Sequence, residues 1–124
     1  MKRFMLAVAV AAAFMPMLAQ TAAAVDYFGA IAFAQKTRSH GYSYDYTSQT
    51  AAEQAAMAEC AKRSTDCSIA TWFRNACGAL AVGKDNAWGA HWGTDEEQAK
   101  GRALQKCYEV AIDCKVERSA CTKR

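Results

Sequence analysis

The sequence contains a single proline, Pro16, and no stretch rich in Gly, Ser or Pro that could serve as an interdomain linker. Domain boundaries usually fall in such exposed, flexible segments. It also has no low-complexity tract. We therefore predict one domain over residues 25–124.

The sequence lacks an apolar run long enough to span a membrane, which needs about 20 residues. Its N-terminal apolar stretch, Phe4–Ala19, follows the charged pair Lys2-Arg3 and leads to the small residues of Ala22-x-Ala24. This order is typical of a secretory signal peptide. We predict a signal peptide over residues 1–24 and an exported product, periplasmic or secreted. A membrane anchor is the less favoured alternative, so we expect no membrane insertion after cleavage.

An excess of positive charge is also missing once that segment is removed. Residues 25–124 contain 13 Lys and Arg against 12 Asp and Glu, a net charge of +1. Contacts from basic side chains to phosphates supply most of the affinity of nucleic-acid-binding proteins. We therefore expect no nucleic-acid partner.

The two halves of the remaining chain resemble each other. A shift of 47 residues superimposes the Cys-x₆-Cys pairs that begin at Cys60 and Cys107, and at a shift of 49 Gly29–Ala32 resembles Gly78–Ala81. A repeat of this kind indicates one supersecondary unit used twice, with neither copy able to bury its apolar face alone. We place the repeats at about residues 27–76 and 77–122.

Each repeat has the pattern of strand, strand, helix, strand. In the first, Gly29–Ala34 is a short apolar run, Gln35–Gly41 is a polar turn, and Tyr42, Tyr44 and Tyr46 alternate with polar residues on one face of a strand. We predict an α+β fold of two tandem strand-strand-helix-strand units, forming one small disulfide-stapled domain with antiparallel sheet and two helices.

The predicted helices begin at capping-box sequences. Thr47-Ser48-Gln49-Thr50 offers caps for a helix that runs to about Cys60, with Thr50-x-x-Glu53 at capping-box spacing. Thr94-x-x-Glu97 opens the second helix in the same way, and that helix leads to Cys107. The neighbouring carboxylates Asp95-Glu96-Glu97 have the placement of acidic residues that stabilise a helix N-terminus.

All six cysteines lie in the predicted exported part, where an oxidising compartment favours disulfides. Each helix ends in a cysteine and each closing strand begins with one, so these pairs would clamp the helix-to-strand loops. The two remaining cysteines, Cys77 and Cys121, each follow a third strand, and we expect them to tie the halves together. The predicted disulfides are Cys60–Cys67, Cys107–Cys114 and Cys77–Cys121.

The residues that begin at Tyr27-Phe28-Gly29-Ala30, the Gly41–Tyr44 tract, the cysteine pair of the first repeat and above all the stretch Trp72–Gly83 resemble a bacterial secreted family, catalogued as domain of unknown function 4189. The resemblance covers essentially all of residues 25–124. It implies an exported domain with this cysteine framework, and it implies no activity and no catalytic residues.

Motifs for catalysis or metal binding are scarce. Structural zinc sites usually use closer cysteine pairs than Cys-x₆-Cys, and cysteine nucleophiles need a free thiolate. The sequence has no Gly-rich phosphate loop. We expect no cofactor and no metal ion.

Two histidines could in principle act as general base and general acid in a small hydrolase. We place His40 in a hairpin turn and His91 in the aromatic hairpin of the other repeat, at positions that are not equivalent. No cluster of Lys or Arg lies near them in the sequence. This hydrolase is the weakest of three hypotheses, and we expect one exposed histidine and one packed against tryptophan.

Aromatic residues are the remaining candidates for a binding surface. Tyr, Trp and Arg concentrate binding energy at protein interfaces, although the same residues could instead form the sheet faces of the core. The candidate binding residues are Tyr42, Tyr44, Trp72, Arg74, Trp88 and Trp92.

The leading hypothesis is a non-catalytic exported binding protein of the cell envelope that recognises a protein partner, as an inhibitor or an immunity factor does. The alternative is a module that binds peptidoglycan or another glycan through Tyr42, Tyr44, Trp88 and Trp92.

Overall fold

The computed structural model describes residues 11–16 and 24–123. Most of the predicted signal peptide lies outside these residues, and residues 11–16 are exposed and have no regular secondary structure. The ordered elements begin at Phe28.

The first half of the chain forms a three-stranded antiparallel sheet with one helix. Its elements are β1 (Phe28–Ala34), β2 (Ser39–Tyr46), α1 (Gln49–Ala61) and β3 (Ser68–Arg74), and the strand order in the sheet is β2-β1-β3. The polar turn before β2 is shorter than predicted, because residues 39–41 already belong to the strand.

The second half has the same order of elements. These are β4 (Cys77–Val82), β5 (Trp88–Gly93), α2 (Glu96–Tyr108) and β6 (Lys115–Cys121), with a short 3₁₀ turn before β5 and the strand order β5-β4-β6. The predicted α+β fold, with two units of strand, strand, helix and strand, is confirmed. We call these halves the first and second units.

The helix caps lie within or next to the predicted cap sequences. Ser48, one of the predicted caps, rather than Thr50 of the capping box, caps α1 by accepting a hydrogen bond from the Ala51 N–H. Asp95, not Thr94, caps α2 by accepting one from the Gln98 N–H. Both sequences contain neighbouring cap-forming residues, and the choice among them depends on where the preceding strand ends.

Alternating residues in the central strands bury two different faces. In β1 the small side chains Ala30, Ala32 and Ala34 pack against α1, whereas Ile31 and Phe33 point to the opposite face. The same alternation in β4 directs alanines to α2 and larger side chains to the opposite face. The faces that carry the larger side chains pack against each other, so the layers are helix, sheet, sheet, helix.

Phe73 of β3 links the two sheets. Its ring is 1% exposed and packs in the same cluster as Ile31 and Leu80. A Cβ atom added at Gly29 would lie 2.3 Å from this ring, and one added at Gly78 would lie 2.4 Å from it. The ring therefore fills space that only two glycines, one from each unit, leave open.

The disulfides are Cys60–Cys67, Cys107–Cys114 and Cys77–Cys121, the same pairs that the spacing predicted. The expectation that the last pair ties the halves together is wrong. Cys77 is the first residue of β4 and Cys121 is its partner in β6, so both belong to the second unit. Since all six cysteines lie within residues 24–123 and are paired inside their own units, the units are held together without a disulfide.

Three disulfides indicate a protein that matures in an oxidising compartment rather than in the cytoplasm. Among the described residues, neither helix has the length and apolar character needed to cross a bilayer.

We predict that Phe73→Ala lowers the free energy of unfolding by about 3–5 kcal/mol, because it opens a cavity where both sheets meet. The neighbouring Trp72→Ala variant is the control, since Trp72 is half-exposed, and should cost no more than about 1.5 kcal/mol. Urea unfolding of the oxidised protein measures both. Equal losses in the two variants would show that Phe73 does not anchor the units.

Candidate functional site

A shallow groove of about 560 Å³ opens where β3 of the first unit faces β5 of the second. Both are edge strands of their own sheets. The residues that line this groove are Ala70, Thr71, Trp72, Phe73, Arg74 and Trp92. Three of the six candidate binding residues therefore lie together there: Trp72, Arg74 and Trp92.

The side chains of β3 reach the groove because of strand alternation. Since Phe73 points into the intersheet core, its neighbours Trp72 and Arg74 point away from it. Trp72 is 42% exposed, and its ring centroid lies 6.4 Å from that of Phe28. The nearest acidic partner of Arg74 is Asp26, with an N–O distance of 3.9 Å. The side chain of Arg74 is 59% exposed.

Trp92 forms the opposite wall of the groove and is 45% exposed. The guanidinium carbon of Arg102 lies 5.4 Å from the centroid of its ring, within the range of a cation–π contact. Arg102 also donates a hydrogen bond to the Trp92 carbonyl at 3.2 Å. Together these contacts place a second positive charge beside the groove.

Arg102 is not among the binding residues predicted from the sequence. A signal for it exists, because Ala99 and Ala103 form the buried stripe of α2 and Arg102 lies next to that stripe. A long side chain in that position can reach around the strand on which the helix packs. Strand β5 is that strand, and it carries Trp92.

The other three candidates do not join the groove. Trp88 is half-buried and its ring makes an edge contact with Phe33 at 5.8 Å, and Tyr42 also packs against the intersheet core. Tyr44 is 53% exposed and stacks on Tyr42, with ring centroids 6.3 Å apart. These two tyrosines border a separate hollow of about 500 Å³ between β2 and α1.

The three tyrosines of β2 do not share one face as predicted. The pairing of β2 with β1 shifts between Ala30↔Ser43 and Phe28↔Tyr46, which adds one residue to β2. Asp45 in this bulge has a φ of 60°. A bulge with one extra residue reverses the alternation beyond it, so Tyr46 leaves the face that Tyr42 and Tyr44 occupy.

The side of the intersheet core opposite the groove, where β2 faces β6, is closed by polar contacts. Arg38 forms an ion pair with Glu117 at 2.6 Å. The guanidinium carbon of Arg118 lies 4.4 Å from the Tyr42 ring centroid, and the Arg118 Nε donates to His40 Nε2 at 3.2 Å. Charged side chains therefore join the units on this side, whereas within residues 24–123 no hydrogen bond or ion pair links β3 to β5.

The two histidines have different surroundings. His40 lies in β2, not in the hairpin turn as predicted, and it is half-buried rather than exposed. His91 lies in β5, with its ring beside Trp92 and its Nδ1 bonded to the Trp92 carbonyl at 2.7 Å. The two imidazole rings make different contacts and lie on different sides of the intersheet core.

The carboxylates at the start of α2 serve the helix. Asp95 is the cap, and Glu96 accepts hydrogen bonds from Lys100 at 3.0 Å and from Ser119 at 2.9 Å. These bonds, with Lys100 the larger influence, lower the pKa of Glu96. Among the described residues no cluster of His, Cys, Asp and Glu has the arrangement needed to hold a metal ion.

Comparison with known proteins gives a family and a fold. A family model described as "Domain of unknown function (DUF4189)" matches residues 28–121. The structure is similar to the NMR structure of Rv1813c from Mycobacterium tuberculosis, with a TM-score of 0.57 and 18% sequence identity over 98% of this chain and 97% of that chain. At this identity the likeness concerns the fold alone. No curated protein matches the chain.

We predict that His40 makes the protein less stable as the pH falls. Partial burial, and then repulsion by Arg118 and Arg63, lower the pKa of His40 below its ordinary value, against a smaller opposite effect of Glu117. The unfolded chain therefore binds a proton at a pH where the folded chain does not. His40 therefore does not reduce the free energy of unfolding above about pH 6.5, and it reduces that free energy as the pH falls below this value.

The test compares urea midpoints at about pH 7.5 and about pH 5.5 for the wild type and His40→Gln. Glutamine keeps a hydrogen-bond acceptor for Arg118 but does not titrate. We expect the variant to lose less stability over this interval than the wild type. An equal loss would assign the pH dependence to other groups.

Proposed function

The chain belongs to the DUF4189 family, which its sequence resembles. Since the description of that family names no function, we propose a function from the groove itself. The protein is a non-catalytic exported binding protein of the cell envelope that recognises another protein. The observation that carries this proposal is the convergence of two exposed tryptophans and an arginine, from both units, on one groove.

The composition of the groove supports protein binding. Trp and Arg are the residue types that most often dominate binding energy at protein interfaces, where they combine a large apolar surface with directional polar groups. The lining residues include neither a histidine nor a carboxylate, and binding a partner protein requires neither. Its volume accommodates a few side chains of a partner.

The framework also supports such a role. Three disulfides hold a small domain rigid, and a rigid binding surface loses little conformational freedom when a partner docks. A periplasmic or secreted location, which the predicted signal peptide implies, would place this surface among envelope proteins. An inhibitor or immunity factor for an envelope enzyme has these properties.

We predict that immobilised wild-type protein recovers one partner protein from a cell-envelope extract, and that Trp72→Ala or Trp92→Ala reduces the recovery by about tenfold or more. Mass spectrometry of the eluted protein identifies and quantifies the partner. Tyr44→Ala is the matched control, since it removes an exposed aromatic ring from β2, at the other edge of the first sheet.

Two results would contradict this proposal. One is the absence of any protein enriched above background. The other is recovery that neither tryptophan variant changes, although both variants keep the thermal unfolding midpoint of the wild type.

A glycan-binding module is the second candidate, because the stacked pair Tyr42 and Tyr44 borders its own hollow beside α1. Exposed flat rings can stack on sugar faces. Sedimentation with purified peptidoglycan that is lost in Tyr44→Ala, but kept in Trp92→Ala, would favour this candidate. Trp88→Ala is unsuitable as a reporter, since Trp88 packs against the intersheet core.

A further inference from the structure

The free edge of β3 runs along the groove. Strand β3 pairs with β1 only, and its other edge belongs to no ladder within residues 24–123. An unpaired edge presents backbone N–H and C=O groups to which an extended peptide can add as a further strand. The direction of these groups at the groove decides whether such addition is possible.

Two hydrogen bonds fix that direction. The Asn75 N–H donates to the Tyr27 carbonyl at 2.9 Å, so the bonded pairs between β1 and β3 include Tyr27 with Asn75. The Ala30 N–H instead points towards β2, where it donates to the Ser43 hydroxyl at 3.1 Å. In an antiparallel ladder the bonded and non-bonded pairs alternate.

The alternation assigns the peptide groups of β3. Gly29↔Phe73 is a bonded pair, and Ala30↔Trp72 and Phe28↔Arg74 are non-bonded pairs. The N–H and C=O groups of Trp72 and Arg74 therefore point away from β1, towards the outer edge of the sheet. The Thr71 hydroxyl approaches the Trp72 carbonyl at 3.5 Å, which is at the limit of hydrogen bonding.

The facing edge strand does not offer the same opportunity. The Trp92 carbonyl of β5 already accepts hydrogen bonds from the Arg102 guanidinium and from His91 Nδ1. Side chains of the second unit thus occupy the edge of β5 at the groove. Strand β3 supplies the unoccupied backbone groups.

The length of the free edge is limited on both sides. The pairing of β3 with β1 shifts between Ile31↔Thr71 and Ala32↔Ile69, so a bulge lies just before Thr71. The strand ends at Arg74, and Asn75 turns away with a φ of 47°. A partner strand therefore pairs over roughly four residues.

The charges beside this edge select the partner. Arg74 has one weak acidic contact, and Arg102 lies over Trp92 at the opposite wall. Both guanidinium groups favour carboxylates, which they can bind through two parallel hydrogen bonds. The tryptophan rings between them favour apolar side chains.

We propose that the groove binds an extended, acidic segment of the partner protein, which adds to β3 as a fourth strand of the first sheet. Its backbone pairs with the peptide groups of Trp72 and Arg74. Side chains on one face of the added strand, with its carboxylates, lie beside Trp72 and Arg74, and those on the other face lie towards Trp92 and Arg102. This inference rests on the proposed protein-binding function and names the kind of segment that is recognised.

The probe is an end-blocked hexapeptide of alternating Val and Asp, titrated to millimolar concentration into the oxidised, ¹⁵N-labelled protein. We expect the largest shifts of amide resonances at Trp72 and Arg74, and slower hydrogen exchange of these two amides. The same peptide with Asn in place of Asp should bind about fivefold or more weakly, because it lacks the charges that the two arginines favour.

A second peptide tests the backbone pairing. Methylation of two adjacent central nitrogens blocks both edges of the peptide and leaves every side chain in place, so binding should be lost. On the protein side, Trp72→Pro and Trp72→Ala both lack the indole ring, but only the proline lacks the outward N–H. We expect the proline variant to bind more weakly than the alanine variant, with an equal thermal midpoint as the folding check.

Equal binding of the methylated and unmethylated peptides would overturn strand addition, and so would the absence of any shift at millimolar peptide. In either case, recovery of an envelope protein that depends on Trp72 and Trp92 would leave the proposed protein-binding function standing. Equal binding of the Asp and Asn peptides would overturn the preference for an acidic segment.

Discussion

The contact of Phe73 with Gly29 and Gly78 sets the distance between the two sheets, and the rest of the structure depends on that distance. A side chain larger than hydrogen at either glycine would overlap the ring, so one aromatic residue of the first unit is fitted to both units. Each sheet has only three strands and needs another layer to cover the face that carries its larger side chains. Close packing of these faces leaves the helices outside and brings β3 beside β5.

The groove exists because the two sides of this packing are filled differently. Where β2 faces β6, Arg118 lies on the Tyr42 ring and bonds to His40, so long polar side chains fill the space. Where β3 faces β5, tryptophans line an opening that no polar link crosses within the described part of the chain. Two units of the same topology thus produce one closed side and one open side. In the proposed function, the open side is the surface that binds the partner.

Much of the fold follows from local sequence patterns. The apolar alternation around Ile31 and the spacing of Cys60 and Cys67 are strong signals, since strand faces and short disulfide loops depend on near neighbours. The role of Cys77 depended instead on a boundary: the turn at Asn75 and Ala76 ends β3, so Cys77 starts a new strand. Its disulfide to Cys121 of β6 therefore lies inside the second unit. The predicted repeat boundary between residues 76 and 77 already placed both cysteines in that unit, so the expected link between the halves did not follow from it.

The site was less predictable for a related reason. Exposure of an aromatic ring depends on what covers each face of its strand, and both faces of these sheets are partly covered, by a helix and by the other sheet. Trp88 and Trp92 lie on the same strand, yet one packs on Phe33 and the other reaches the groove edge. Bulges in β2 and β3 add to the difficulty, since one extra residue reverses every later side chain.

The placement of the disulfides also has a consequence for proteolysis. Within residues 24–123, the backbone between β3 and β4 is the only covalent connection between the units, and Asn75 in that connection is exposed. Cleavage there would release no fragment while the sheets stay packed. It would nevertheless leave two separate polypeptides, one with Cys60–Cys67 and the other with Cys77–Cys121 and Cys107–Cys114. In denaturant, even without a reducing agent, the nicked molecule would fall into two halves, and its groove would disappear because each half carries one wall.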